Sequence, residues 1–105
     1  MELAAKRCKP CEGGMPPLNL DESKKLLAQV EGWKLEEKTI QKSFKFKNFV
    51  EAIKFVNRVA DLAESEGHHP DIHISYNRVK LSLMAHVIGG LSENDFILAA
   101  KIDRL

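Results

Sequence analysis

The sequence is poor in the features that mark membrane proteins, disulfide scaffolds and nucleic-acid-binding proteins. Its longest unbroken apolar run, from Phe96 to Ala100, is far shorter than the roughly 20 residues of a membrane-spanning helix. It has two cysteines in 105 residues, and 16 basic against 15 acidic residues leave a net charge of +1. The first residues lack the apolar core of a signal peptide. We therefore expect a cytoplasmic protein that binds neither a membrane nor nucleic acid.

Residues 1–17 hold both cysteines and three of the four prolines, and they show little hydrophobic periodicity. This composition predicts an irregular N-terminal arm that precedes one domain over residues 18–105. Cys8 and Cys11 of the arm are spaced as half of a tetrahedral zinc site or as a redox pair. No second pair exists in the chain to complete four ligands. We therefore favour two reduced thiols and no metal, with a metal or redox role as the alternative.

Hydrophobic periodicity in residues 18–105 predicts three helices and four strands. Apolar residues at three- and four-residue spacing predict helices that begin after Asn19, Asn48 and Ser92. Alternation of apolar and polar residues predicts strands at 33–35, 39–47, 72–76 and 79–83. Strands joined in pairs by short turns, with helices between the pairs, predict an α+β fold. We expect a four-stranded antiparallel sheet with three helices packed on its one apolar face.

The last two predicted strands form a tight hairpin. A two-residue loop at Asn77-Arg78 places every apolar residue of both strands on one face of the sheet. Extended outward, the same register sets His69 opposite His86. His73 falls on the polar side opposite Ser82, where we expect a solvated strand residue.

Three histidines, His68, His69 and His86, are thus expected to converge at one end of the hairpin. Imidazole titrates near neutrality, so a cluster of imidazoles predicts either acid/base catalysis or a metal site. Glu64, one helical turn before His68, and Asp95 are expected to flank the same region. Each carboxylate also has a structural interpretation: Glu64 as an exposed helix residue, and Asp95 as a first-turn carboxylate that the helix dipole favours.

An ordered set of residues spans the second half of the chain: Glu64, His68-His69-Pro70, Tyr76, His86 and Asp95. At these intervals the set closely resembles the signature of the pterin-4a-carbinolamine dehydratase family. The resemblance covers about residues 18–105 and includes Gly32-Trp33, Tyr76-Asn77-Arg78-Val79 and Gly89-Gly90-Leu91-Ser92. It implies an antiparallel sheet with helices on one side, which agrees with the fold predicted from periodicity.

The resemblance implies a hydro-lyase that removes water from a 4a-hydroxytetrahydropterin, gives the quinonoid dihydropterin in tetrahydrobiopterin recycling, and needs no cofactor. This dehydration requires a proton for the departing hydroxyl and a base for the ring-nitrogen proton, and imidazoles can serve both steps. By resemblance, His68 and His86 are the acid/base groups, while His69, the third catalytic candidate, helps to hold the pterin. The residues expected to bind or orient the substrate are Glu64, Pro70 and Asp95. Pro70 also fits a purely structural role at the end of the long helix.

The sequence departs from the family pattern around His86, where Ala85, Val87 and Ile88 give more apolar surroundings. This departure leaves the preferred pterin open. Two other functions also stay open. A small protein-interaction module is one, because the resemblance includes members that stabilise dimers of a transcription factor, and a histidine metal site is the other. The resemblance further implies a homodimer or a homotetramer, and it is compatible with a protein partner.

Overall fold

The computed structural model describes residues 3–9 and 16–105. Its elements follow the order α1 (Leu20–Leu27), β1 (Lys34–Glu36), β2 (Thr39–Lys45), α2 (Phe49–Glu66), β3 (Asp71–Ser75), β4 (Arg78–Leu83) and α3 (Glu93–Ile102). Short 3₁₀ turns lie at Leu3–Ala5 and His86–Ile88. The strands form one antiparallel sheet in the order β1-β2-β4-β3. The predicted α+β fold is confirmed.

The helices begin at the capping residues that the sequence predicts. At α1, the side chain of Asn19 accepts the Glu22 N–H at 2.8 Å, and the side chain of Glu22 accepts the Asn19 N–H at 3.0 Å. At α2, the side chain of Asn48 accepts the Glu51 N–H at 2.9 Å. The end of α1 differs from the prediction, because the helix stops at Leu27 and a turn follows before Gly32.

The core lies between one face of the sheet and the helices. Val79, Leu81 and Leu83 alternate along β4 and are completely buried, as the period of two predicts. Helix α3 is buried almost all round, and its buried apolar residues are Phe96, Ile97, Leu98, Ala99 and Ile102. This packing holds the first turn of α3 in place. No helix in the described ranges is both long and apolar enough to cross a membrane.

The β3–β4 hairpin turns at Tyr76-Asn77, so the predicted turn at Asn77-Arg78 is wrong. Ser75 pairs with Arg78, and Tyr76 adopts the left-handed conformation at φ 52°. The two registers differ by two residues and place the same side chains on the same face, so alternation cannot distinguish them. A tertiary contact of the turn distinguishes them. The Asn77 C=O accepts the Phe46 N–H at 2.8 Å, and Asn77 Nδ2 donates to the Phe46 C=O at 2.9 Å.

The predicted pairing of His69 with His86 across the hairpin is also wrong. β3 begins at Asp71, after His69, and β4 ends at Leu83, before His86, which lies in the second 3₁₀ turn. His73 pairs with Lys80 and not with Ser82, again because the register differs by two. Its side chain is exposed, as predicted for the polar face.

Part of the predicted N-terminal arm packs on the domain. Leu3–Ala5 form a 3₁₀ turn, and Leu3 is 5% exposed within the hydrophobic core. Of the two cysteines predicted to be reduced thiols, Cys8 is among the described residues and Cys11 lies outside them. The division of the chain at residue 18 stays a prediction.

Candidate active site

A cavity of about 500 Å³ brings the three candidate histidines together. His68 and His69 reach it from the end of α2, and His86 reaches it from the turn after β4. The cavity is also lined by residues that were not predicted to hold the pterin or to transfer protons, namely Cys8, Lys9, Glu66, Gly67, Met84, Ala85, Val87 and Asn94. Its volume lies in the range of small-molecule sites.

His68 is held by a buried carboxylate. Gly67 ends α2 in the left-handed conformation at φ 66°, and the chain turns so that His68 meets α3. His68 Nε2 lies 2.5 Å from Asp95 Oδ1, and the two side chains are 11% and 0% exposed. The other oxygen, Asp95 Oδ2, accepts the Ser92 N–H at 2.9 Å. Asp95 therefore caps α3 and also binds the imidazole of His68. The helix-end role and the contact with a histidine, both considered from the sequence, occur together.

His69 has a much looser environment. Its Nε2 lies 3.4 Å from Glu64 Oε1, and the two side chains are 58% and 80% exposed. Pro70 follows at the end of the α2–β3 connection. Neither Glu64, Pro70 nor Asp95 lines the cavity itself, as far as the described residues show. Glu64 and Asp95 instead contact the histidines that do.

His86 is carried by a short closed loop. The Ala85 N–H donates to the Gly90 C=O at 2.8 Å, and Gly89 turns the chain at φ 68°. A side chain at Gly90 would approach Pro17 at 2.7 Å, so this close contact requires glycine. The His86 side chain is exposed, and Val87 beside it is 62% exposed. The apolar neighbours of His86 thus lie partly at the surface, on the rim of the cavity.

Glu66 and Asn94 were missed because polar residues at helix ends carry no periodic signal. The Glu66 side chain is 5% exposed, and its Oε1 accepts the Cys8 N–H at 2.8 Å. Its other oxygen lies 3.2 Å from Arg7 Nε and 3.9 Å from Lys101 Nζ. The hydrogen bond from the Cys8 N–H, assisted by both cations, holds the pKa of Glu66 below its ordinary value.

Asn94 binds the backbone of Lys9, the residue that follows Cys8. Asn94 Oδ1 accepts the Lys9 N–H at 2.9 Å, and its Nδ2 donates to the Lys9 C=O. The Cys8 thiol donates to the Asn94 C=O at 3.6 Å. Cys8 and Lys9 are therefore bonded through their backbone to the ends of α2 and α3, and they form one wall of the cavity.

We expect Glu66→Gln to lower the free energy of unfolding by about 1.5–3 kcal/mol at pH 7, the range for hydrogen bonds to charged groups. Because the pKa of Glu66 is depressed in the folded state, its stabilisation is present above the ordinary value of 4.5 and is lost as pH falls through the folded-state pKa. Urea unfolding at pH 7 and below pH 4.5 measures the difference. Glu31→Gln, an exposed change of the same kind, is the control, and a matching pH profile for the two variants would contradict the prediction.

The Cys8 thiol is expected to be unreactive. Burial raises its pKa from 9.0 to about 12, and the Glu66 carboxylate adds to the effect. Since the thiolate is the nucleophile, we expect alkylation by iodoacetamide at pH 8 to be at least about 100-fold slower than in the unfolded chain. The measurement uses a Cys11→Ser protein, so that Cys8 is the thiol that reacts, and compares native with urea-unfolded samples. Equal rates in the two samples would refute the burial of this thiol.

In residues 3–9 and 16–105, no three His, Cys, Asp or Glu side chains converge to hold a metal ion. The histidine metal site that the sequence left open therefore gains no support from the geometry of these residues. His68 and Asp95 instead form a carboxylate–imidazole pair, in which the carboxylate can fix the orientation and the tautomer of the ring.

Comparison with known proteins identifies the family. The sequence model described as Pterin 4 alpha carbinolamine dehydratase matches residues 16–105. The chain belongs to this family. A relative from Nitrosospira multiformis is 54% identical over 104 residues, which cover 99% of this chain and 92% of the relative. A relative from Rubrobacter xylanophilus is 50% identical over 105 residues, which cover 99% and 98%. Both are provisionally named pterin-4-alpha-carbinolamine dehydratase, and the resemblance drawn from the histidine motif is confirmed.

Two solved structures of related proteins share the fold. A transcriptional coactivator/pterin dehydratase from Brucella melitensis matches with a TM-score of 0.80 and 34% identity, over 84% of this chain and 96% of its own. A pterin dehydratase-like protein, identified as a RuBisCO assembly factor in the alpha-carboxysome, matches with a TM-score of 0.56 and 26% identity, over 69% and 83%. Of these two proteins with the same fold, one is therefore described as a coactivator and dehydratase, and the other as an assembly factor.

Proposed function

We propose that this protein is a pterin carbinolamine dehydratase in which His68 and His86 transfer the protons. The substrate is a 4a-hydroxytetrahydropterin, and the products are water and the quinonoid dihydropterin. Family membership supports the reaction class, and the cavity shared by His68, His69 and His86 supports the choice of residues. The observation that carries the proposal is the pair formed by His68 and the buried Asp95 at the wall of this cavity.

His68 is the general base. When its Nε2–H donates to Asp95, the lone pair of Nδ1 is left to accept a proton. That proton comes from N5 of the tetrahydropterin ring, and the buried carboxylate stabilises the imidazolium that forms. Hydrogen bonding to Asp95 also fixes the orientation of the ring, which lowers the entropy cost of proton transfer.

His86 is the general acid. Its imidazolium donates a proton to the 4a-hydroxyl while the bond from C4a to oxygen breaks and water leaves. The electron pair of the N5–H bond forms the double bond between N5 and C4a, so one proton is taken up and one is released. The exposed position of His86 lets it recover its proton from solvent. His69, loosely paired with Glu64, lies beside them and contacts the pterin.

The direct test is dehydration of a 4a-hydroxytetrahydropterin followed by ultraviolet absorbance, with and without the protein. We expect a faster reaction with the protein and an unchanged rate for His73→Ala, because His73 is exposed on β3 and does not line the cavity. A folded protein that fails to accelerate the reaction would overturn the proposal.

A protein-interaction function is the second candidate. The Brucella melitensis protein is described as a coactivator as well as a dehydratase, and the alpha-carboxysome protein as an assembly factor. In this chain, Ile74 on the edge strand β3 and Tyr76 in the hairpin turn are 43% and 66% exposed and offer an apolar contact. This function would survive removal of His68 and His86, whereas dehydration would not.

We expect the protein to form a homodimer or a homotetramer. β3 lies at the edge of the sheet and leaves its outer backbone groups unpaired by other strands of the described chain. Edges of this kind are usually paired, covered or charged, and Ile74 supplies apolar area there. Sedimentation equilibrium at micromolar concentration should show the oligomer, and Ile74→Lys should weaken it. A monomer throughout that range would contradict the prediction.

A further inference from the structure

The N-terminal arm and the proposed base are held by neighbouring residues of one helix. In the first turn of α3, Asn94 binds both backbone groups of Lys9, and Asp95 binds the ring of His68. Asn94 is 7% exposed and Asp95 is 0% exposed. A shift of either residue would therefore move the arm and the imidazole together.

The end of α2 holds the arm a second time. Glu66, which precedes His68 by two residues, accepts the Cys8 N–H. Its buried carboxylate also pairs with Arg7 and Lys101. A buried carboxylate is costly unless it is paired, so this contact specifies one position for the arm. Both contacts hold Cys8 and Lys9, the part of the arm that lines the cavity.

Lys9 brings an unmatched positive charge to this wall. Lys9 lines the cavity and is exposed, and its side chain forms no ion pair with any residue in 3–9 or 16–105. Two other lysines near the arm are paired, Lys6 with Glu93 and Lys101 with Glu66. Asn94 binds only the backbone of Lys9, so these hydrogen bonds leave the ammonium group of Lys9 available to a ligand.

We propose that Cys8 and Lys9 form a fixed wall of the pterin site and that Lys9 determines specificity. It favours a pterin whose 6-substituent carries a carboxylate or a phosphate. This inference rests on the proposed function, which places the reacting C4a and N5 atoms among the histidines. The 6-substituent then extends from the ring toward the arm, where the ammonium of Lys9 attracts an anionic group.

Binding of two stable probes tests the role of Lys9. Pterin-6-carboxylate and 6-hydroxymethylpterin differ in the charge of the 6-substituent, and the quenching of their fluorescence measures Kd at low ionic strength. We expect tighter binding of the carboxylate to the native protein. Lys9→Ala should reduce that preference by about two- to fivefold, as expected for an exposed charge pair, and Lys9→Glu should reverse it. Lys25→Glu makes the same charge change on the exposed face of α1 and should leave the preference unaltered.

A second variant tests the wall itself. Asn94→Leu removes both hydrogen bonds to the Lys9 backbone, and we expect KM for the dehydration reaction to rise by more than kcat falls. A thermal unfolding curve reports whether this variant is folded, and the Lys9 variants carry the test if it is not.

The outcomes separate this inference from the proposed function. Equal binding of the two probes to the native protein, or a preference that Lys9→Glu leaves intact, would overturn the role of Lys9. Acceleration of dehydration for a neutral pterin would leave the proposed function standing in that case. Failure of both probes to bind, together with no dehydration, would overturn both.

Discussion

Replacing His68 or His86 by alanine is expected to lower kcat by roughly ten- to ten-thousand-fold, the range for loss of a positioned acid or base. In the proposed mechanism each residue serves one of the two proton transfers, so loss of either one leaves that transfer to water. His86 is exposed, and His86→Ala should leave the free energy of unfolding nearly unchanged. Initial rates of carbinolamine dehydration measure the effect.

His68 needs a second substitution, because its ring satisfies the buried carboxylate of Asp95. His68→Ala leaves that carboxylate with an unmade hydrogen bond, which costs about 1–3 kcal/mol of stability. His68→Gln retains a side-chain N–H for Asp95 and should stay close to wild-type stability while losing the same activity. His73→Ala is the matched histidine control. Activity near the wild-type level in folded variants at both positions would remove the acid/base assignment.

Asp95→Asn is expected to lower kcat by about 100- to 10,000-fold with little change in fold. The amide oxygen can still accept the Ser92 N–H, so the start of α3 keeps its cap. The amide N–H₂ now faces His68 Nε2 as a donor, which favours the tautomer with hydrogen on Nδ1. The base then has no lone pair toward the substrate. Asp61→Asn, an exposed change of the same kind on α2, should be neutral.

The tautomer of His68 separates this positioning role from a merely structural one. Nitrogen-15 chemical shifts of the ring should show hydrogen on Nε2 in the native protein and on Nδ1 in Asp95→Asn. Asp95→Ala loses the cap as well, and we expect a further loss of about 0.5–2 kcal/mol in stability. An unchanged tautomer, or full activity in Asp95→Asn, would contradict the proposed role of Asp95.

The contrast between the hairpin and the helices shows which features alternation can specify. Asn19 and Asn48 begin their helices as predicted, because capping depends on residues three positions apart in sequence. The hairpin turn was predicted one residue too far along, since a register change of two leaves every side chain on its own face. Hydrogen bonds between Asn77 and Phe46, the residue that follows β2, select the observed turn.

The candidate site shows the same division. The motif identified His68, His69 and His86, and the cavity brings them together from two separate segments. The predicted pairing of His69 with His86 across the hairpin was wrong, because β3 begins at Asp71, after His69, and β4 ends at Leu83, before His86. The roles of Glu66 and Asn94 were not predicted, since a polar residue at a helix end usually faces water.

The sequence by itself determined the periodic elements, the α+β class, the histidine motif and the family, because each depends on residue types at short, regular intervals. The tertiary structure alone decided the register of the hairpin, the bond between His68 and Asp95, and the binding of the arm to Glu66 and Asn94. These contacts join residues 27 to 85 positions apart. Their carboxylate and amide groups lie at the end of α2 and in the first turn of α3, where the folded chain buries them. A buried polar group needs a hydrogen-bond partner. Which partner it has depends on the folded chain and not on a local sequence pattern.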